Sequence, residues 1–384
     1  MSLAALSLST PAPPRFSEKL WRVNWGLLLV LTAIAAIGVV ALYSAAGGRF
    51  EPWAGRHAMR YGAALAFALV VALIHPKVWL ALAWPIYILS MLLLVAVDVA
   101  GKIGMGAQRW LVIGPMQIQP SEIAKVAVIL VLARYYHGLT REQAARFLYT
   151  LPPLIVIMAP VGLVMVQPDL GTAMMVLLGG AALLFVAGVR LWMFLGAAVA
   201  AVGCLPFAWS FMHEYQRKRV LTFLDPDRDP LGAGYHITQS KIAIGSGGLF
   251  GKGFGKGTQS ALNFLPEKQT DFIFATLAEE FGFVGCVSVL FLYGVAIFMA
   301  LRIASISHSH FGRLSAAGVT ATFALYVLIN GAMVMGMAPV VGVPMPMLSY
   351  GGTVMLTVMI GFGLVQAVRV HRYTEVTSGK GSLM

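Results

Sequence analysis

About ten long apolar runs, each closed by charge, proline or glycine, leave this chain almost no fold except a bundle of membrane-crossing helices. They cover roughly residues 24–46, 57–75, 78–99, 120–137, 148–167, 170–189, 191–212, 271–301, 314–338 and 350–369. About 20 apolar residues coiled as an α-helix match the hydrocarbon thickness of a bilayer. A helix also satisfies its own backbone there. Charged residues make up 11% of the chain, hydrophobic ones 59%, and the mean hydropathy is +0.82. That balance excludes a soluble globular protein. The expected fold is an all-α polytopic membrane protein with about ten transmembrane helices in one bundle.

Basic residues set the direction. With the N-terminus in the cytoplasm, the inner connections hold Arg15, Lys19 and Arg22, then Lys77, then Arg134, Arg141 and Arg146, then Arg190, then Arg302 and Arg313, and last Arg369 and Arg372. The short outer connections at 168–169 and 339–349 hold no Lys or Arg. This excess predicts an N-in, C-in chain. The expected boundaries are a cytoplasmic tail over 1–22, a membrane domain over 23–372 and a cytoplasmic tail over 373–384. A large periplasmic loop at 213–270 joins the seventh and eighth spans; it is basic yet outside, which long loops tolerate. The net charge of +12 is explained by span ends, so no nucleic-acid partner is expected. It also suits anionic lipids or a diphosphate. Val23 to Ala46 exceeds a signal-peptide core and is expected as an uncleaved first span. Cys204 and Cys286 lack metal-type spacing and are expected as small buried hydrophobes.

A carboxylate at or below the membrane surface is costly and calls for a function or a partner. Asp271 sits where the polar, glycine-rich loop gives way to the eighth apolar run. It can do chemistry, or cap the N-terminus of that helix. Glu279 and Glu280 lie inside the run, about 12–13 Å farther along a helix axis. They are either a second working pair or, for at least one, a partner in a salt bridge inside the bundle.

Other polar segments cluster on the same side. Gly106-Ala-Gln-Arg-Trp-Leu111 carries Arg109 and Trp110, as a headgroup anchor would. In Gln119-Pro-Ser-Glu-Ile-Ala-Lys125, Pro120 suits a first helical turn, and Glu122 and Lys125 share a face. That pair is either structural or lines a cavity. In Gln167-Pro-Asp-Leu-Gly-Thr172, Asp169 is placed to cap the next helix. Within the long loop, Leu224 to Pro230 is turn-like and 235–244 suits a short interfacial helix. The glycine-rich stretch 245–257 follows. Its Lys252 and Lys256 can approach an anion, or the stretch is a flexible linker; it is not a P-loop. Residues 338–352 hold helix breakers at membrane depth, so that backbone must be buried in protein or line a wet cavity. Asn330, in the preceding run, reads as helix–helix glue.

Taken together and in order, these motifs, with Gln239-Ser-Lys-Ile-Ala-Ile-Gly-Ser-Gly-Gly248, Leu265-Pro-Glu-Lys-Gln-Thr-Asp-Phe-Ile-Phe274 and Leu348-Ser-Tyr-Gly-Gly352, identify a resemblance to the SEDS family (shape, elongation, division and sporulation) over about residues 20–372. Gly257-Thr-Gln-Ser260 is similar to the rod-elongation branch rather than to the division branch, FtsW. Gln269 departs from the His that many relatives carry. The resemblance implies a ten-span peptidoglycan glycosyltransferase of the bacterial inner membrane, working with a class B penicillin-binding protein and polymerising lipid II on the periplasmic side. It puts the catalytic acid on Asp271 and cavity residues on Arg109, Glu122, Lys125, Asp169, Arg219, Gln239, Ser240, Glu267 and Thr270.

The implied reaction joins a sugar hydroxyl to the anomeric carbon of a lipid-linked disaccharide, with a polyprenyl diphosphate leaving. Asp271 would serve as general base. An α-linked diphosphate that gives a β-linked polymer requires single displacement with inversion. Lys125, Arg109, Arg219, Lys252 and Lys256 are candidate cations for the diphosphate. A Mg²⁺ or Mn²⁺ ion held largely by diphosphate oxygens could share that work; no organic cofactor is expected. Two rival readings are a lipid II flippase and a scaffold that activates an enzyme. A transporter should carry comparable polar groups on the inner side, and the sequence lacks them.

Overall fold

A computed structural model describes residues 15–373, apart from 105–106, 114–115, 213, 226–231, 263 and 266. Both chain ends and most of the turn-like segment at 224–230 therefore lie outside the described residues.

A short helix, α1 (Phe16–Arg22), leads into α2 (Trp25–Ala45), α3 (Ala54–Leu73) and α4 (Pro76–Ala100). Asn24 caps α2 by accepting the Leu27 N–H at 3.2 Å. Pro76 starts α4, where its missing N–H costs nothing. A three-stranded antiparallel sheet follows, made of β1 (Lys102–Gly104), β2 (Ala107–Ile113) and β3 (Met116–Ile118) in the order β1-β2-β3. Then come α5 (Pro120–His137), α6 (Arg141–Ala144), α7 (Leu151–Val166), α8 (Leu170–Ala187) and α9 (Leu191–Phe211). The long loop is mostly helical, with α10 (Glu214–Leu224), α11 (Ala233–Gly247) and α12 (Thr258–Ala261). Three long helices close the chain: α13 (Ile273–Ser305), α14 (His310–Val334) and α15 (Gly352–Val370).

Among the described residues, seven helices are long and apolar enough to cross a membrane: α2, α4, α7 with the turn before it, α8, α13, α14 and α15. α3, α5 and α9 occupy the other three apolar runs. Arg56 and Arg60 in α3 and Glu122, Lys125 and Arg134 in α5 lower their hydropathy. The most apolar windows of α15 and α14 are 72% and 67% buried, against 22% for α13 and 28% for α4. α14 and α15 thus form the protein core, and the outer helices turn apolar side chains outward, as a lipid-facing ring does. Cys204 is correspondingly exposed on α9, contrary to the expected burial, and Cys286 is half-buried.

The glycine stretch is not a slack linker. The eighth apolar run is broken at Gly282, whose φ of 66° and ψ of −162° interrupt α13. Loop backbone fills the break. Lys252 and Gly253 N–H groups donate to the Glu279 and Glu280 carbonyls, both at 3.0 Å. Beyond the break, Phe283 and Val284 N–H groups donate to Gly248 and Leu249, at 2.9 and 3.1 Å. The loop must lie so close that a Cβ on Gly251 would strike the Glu280 carbonyl. Glycine is needed here for contact between backbones.

Candidate active site at the loop end of the bundle

Asp271 lies in a tight turn just before α13. Glu267, at a φ of +54°, accepts the Thr270 N–H on its carbonyl at 3.0 Å and the Thr270 hydroxyl on its carboxylate at 2.9 Å. A non-glycine residue in that region is strained and held by its surroundings. Gln269 also donates to the Glu267 carboxylate, at 3.3 Å. The N-cap of α13 is Phe272, whose side chain makes no capping bond, so Asp271 precedes the cap position rather than filling it. Asp271 remains half-buried. A Cβ added to Gly342, on the facing 338–351 segment, would sit 3.6 Å from its Oδ2.

That segment dives into the bundle, where Met345, Met347 and Leu348 are fully buried. Its polar backbone is tied off from several sides. His57 Nε2 meets the Met347 carbonyl at 2.8 Å, Tyr293 donates to Pro346, and the Ser349 hydroxyl accepts the Met345 N–H at 2.8 Å. Tyr350 N–H donates to the Gln269 carbonyl at 2.8 Å. Non-helical backbone at this depth is buried in protein, one of the two conditions it has to meet. One amide joins the two segments: Asn330 Nδ2 donates to the Asp271 carbonyl at 2.9 Å and to the Val343 carbonyl at 2.7 Å. The sequence marked Asn330 as glue; the structure shows that it clamps the backbone of Asp271. His236 on α11 stacks on Phe272, with ring centres 5.9 Å apart. Nothing in the sequence pointed to His236.

One turn from Asn330 along α14, Tyr326 enters a buried triad. Lys125 pairs with Glu122 at 2.6 Å and donates to the Tyr326 hydroxyl, which donates to Glu122 Oε2 at 2.9 Å. Both charged side chains are 4% exposed, so each depends on the other. A small cavity bounded by Lys125, Thr322, Phe323, Tyr326, Val358 and Gly361 adjoins the triad. α5 begins beside a second cluster. Asp169 caps α8 by accepting the Thr172 N–H at 3.2 Å, as its position predicts, and also accepts from Gln119 at 3.3 Å. Arg109, on β2, approaches Asp169 at 3.7 Å and donates to the Pro168 carbonyl.

The remaining residues divide. Gln239 and Ser240 lie on α11, and Ser240 donates to the Val334 carbonyl at 2.7 Å, docking α11 on the end of α14. Arg219 lies on α10; its side chain is outside the described residues. Lys256 is exposed in the glycine stretch. Lys252 does not stand free to meet an anion: it pairs with Glu279 at 2.6 Å, and Glu279 also accepts the Thr258 and Gln259 N–H groups at 2.8 and 3.1 Å. Glu279 therefore has the internal salt bridge expected for at least one of the two acids. Glu280 is buried and accepts from Ser44 on α2. Lys268 donates to the Ser260 carbonyl at 2.7 Å, and burial lowers its pKa. Among the described residues, no group of three or more His, Cys, Asp or Glu side chains could hold a metal ion.

The chain resembles known proteins along most of its length. Residues 24–374 match the family described as cell cycle protein, which groups FtsW, RodA and SpoVE. The peptidoglycan glycosyltransferase MrdB of Escherichia coli K12 is 47% identical over 352 residues, covering 90% of this chain and 93% of that one. A probable peptidoglycan glycosyltransferase FtsW of Aliivibrio salmonicida is 35% identical over 93% of this chain and 90% of its own. Among solved structures, a chain from a peptidoglycan synthase complex that coordinates polymerization and crosslinking superposes with a TM-score of 0.80. It is 34% identical and covers 91% of this chain and 98% of that one. The rod shape determining protein RodA of Thermus thermophilus gives a TM-score of 0.69 at 32% identity, covering 92% and 98%.

Proposed function

The chain belongs to the SEDS family of multi-pass membrane proteins, and from that premise we propose that it is a peptidoglycan glycosyltransferase that lengthens glycan strands from lipid II during cell elongation. The elongation role follows the higher identity to MrdB than to FtsW. We place the chain in the bacterial inner membrane with ten spans, both termini in the cytoplasm and the Asp271 end facing the periplasm. The basic residues at the opposite span ends support that orientation.

The observation that carries the reading is Asp271 itself. It is a half-buried carboxylate beside a re-entrant segment, with its backbone carbonyl fixed by Asn330 and its turn fixed by Glu267 and Thr270. In the proposed step, Asp271 takes the proton of an acceptor sugar hydroxyl. The freed oxygen attacks the anomeric carbon of the donor, the bond to the diphosphate breaks, and polyprenyl diphosphate leaves with inversion. A positioned base of this kind contributes roughly 10²–10⁴-fold. Arg109 and Arg219 are the proposed cations for the diphosphate, with Asp169 holding Arg109 in place; Lys125, like Lys252, is paired to a carboxylate and shapes the site from within the buried triad. Gln239, Glu267, Thr270 and Lys256 complete the proposed substrate surface, whereas Ser240 is fully buried and fastens α11 to α14 instead. A Mg²⁺ or Mn²⁺ ion, proposed to take most of its ligands from the substrate's diphosphate oxygens, would neutralise diphosphate charge. A class B penicillin-binding protein is the proposed partner, by analogy with the synthase complex.

Polymerisation of purified lipid II by the purified protein with that partner tests the reading. Wild type should form glycan polymer and Asp271→Asn should not, with both equally folded. A folded variant that polymerises at the wild-type rate would falsify the base assignment. Transport of lipid II across liposomes without polymerisation would replace this reading with a flippase.

A further inference from the structure

Six cations gather at the end of the bundle opposite Asp271. Lys19 and Arg22 lie on α1, Lys77 in the first turn of α4, Arg302 in the last turn of α13, Arg369 in the last turn of α15, and Arg372 just beyond it. Several bonds draw these elements together. Lys19 Nζ donates to the Leu73 carbonyl, where α3 ends, at 3.1 Å. The rings of His75, before α4, and His371, after α15, lie 4.8 Å apart. His308 N–H donates to the Arg372 carbonyl at 3.2 Å, which brings in the turn between α13 and α14. Asn24 and Gln366 exchange two hydrogen bonds of 2.9 and 3.0 Å, fastening the α1–α2 junction to α15.

No carboxylate answers this charge among the described residues. The ion pairs there are Arg56–Glu51, Arg109–Asp169, Lys125–Glu122 and Lys252–Glu279, and none involves the six. Glu18, on α1 itself, pairs with none of them. Burial chiefly, with His75, Lys19 and Arg22 nearby, holds the pKa of His371 down at about 4. Clustered positive charge of this kind repels itself unless an anion sits among it. The same corner also exposes large aromatic rings. Phe16 is 67% exposed, Trp21 86% and Trp25 48%. A short helix that joins aromatic side chains to cations at the mouth of a bundle is built to lie in the headgroup layer.

We propose that this corner binds an anionic phospholipid. Its phosphate sits among Arg22, Arg369 and Arg372, and its acyl chains run along the aromatic side of α1 and the outer face of the bundle. A basic pocket between helix ends matches lipid phosphate, and each cation near such a surface strengthens binding about fivefold. The rings distinguish a lipid from a free phosphate, which has no use for them. This site lies apart from the sugar chemistry and does not depend on it.

Native mass spectrometry of the purified full-length protein tests the site. The probes are dioleoyl phosphatidylglycerol, dioleoyl phosphatidylcholine and inorganic phosphate. The protein should retain the glycerol lipid and release the choline lipid. The triple variant Arg22→Gln, Arg369→Gln and Arg372→Gln should bind the glycerol lipid on the order of 100-fold more weakly. Arg56→Gln, at the other end of the bundle, should bind it like wild type. Trp21→Ala should weaken the lipid as well. If the triple variant proves unstable, the single variants of exposed Arg22 and half-buried Arg372, Arg22→Gln and Arg372→Gln, should each show the roughly fivefold loss. Equal retention of both lipids, unchanged binding by the variants, or displacement of the lipid by millimolar inorganic phosphate would overturn the proposal.

Discussion

Asp271 and Glu279 stand eight positions apart and live in opposite circumstances. Glu279 is fully buried, and its carboxylate is spent on Lys252, Thr258 and Gln259. It fastens the glycine stretch to the first turns of α13. Asp271 keeps part of its surface in solvent, and Asn330 holds its backbone carbonyl. A wholly buried carboxylate saturated by donors is a fastener; a half-buried one on a fixed main chain is where the proposed proton exchange at Asp271 would take place. The contrast separates two acids that look alike in the sequence.

The hardest test of the contrast is Asp271→Asn. Polymerisation should fall by about 10²–10⁴-fold with little change in thermal stability. If the melting temperature dropped instead, Asp271 would be a fastener too. Glu279→Ala should do the reverse, costing about 3 kcal/mol of stability because Lys252 and two N–H groups lose their acceptor. Thermal unfolding in detergent reads this, and replacing Lys252 by Met in the same chain should recover part of the loss. Asn330→Leu sharpens the comparison from the other side. It keeps the volume and removes both donors to Asp271 and Val343, so turnover should fall roughly tenfold, about 1.4 kcal/mol, with the KM for lipid II nearly unchanged. A proportional rise in KM would assign Asn330 to substrate binding instead.

The smallest effect concerns pH, at the opposite end of the protein. His371 is buried, and its pKa lies near 4, below the usual value of 6.5. The unfolded chain therefore takes up a proton between those values that the folded chain refuses, so stability is full above about pH 6.5 and declines as pH falls toward 4. His371→Gln should flatten that decline in melting temperature, while Asp271→Asn should leave it in place. A decline identical in wild type and His371→Gln would mean that another group governs it.

The helical architecture was legible because apolar runs of bilayer length admit little else. Asp169 was legible as a cap, and the internal ion pair of Glu279 as the cost of burying charge. Other features left no local trace. The strands β1 and β3 are three residues each, too short for alternation to register. The break at Gly282 hides inside a continuous apolar run, since hydropathy reports depth and not backbone angles. Lys252 looked suited to an anion because glycine next to lysine permits that use; only the fold shows Glu279 occupying the place. Asn330 announced itself as a polar residue in an apolar run, but its targets are carbonyls of two distant segments, which no spacing rule connects.

The splice at Gly282 makes the eighth span and the loop before it one inseparable unit. Backbone groups on both sides of the interruption find partners in residues 248–253. That span cannot settle in the bilayer as a finished rod and wait for its loop. Transplanting either piece alone into a related protein would strand peptide groups in oil, so a working chimera has to exchange residues 245–284 as a single block.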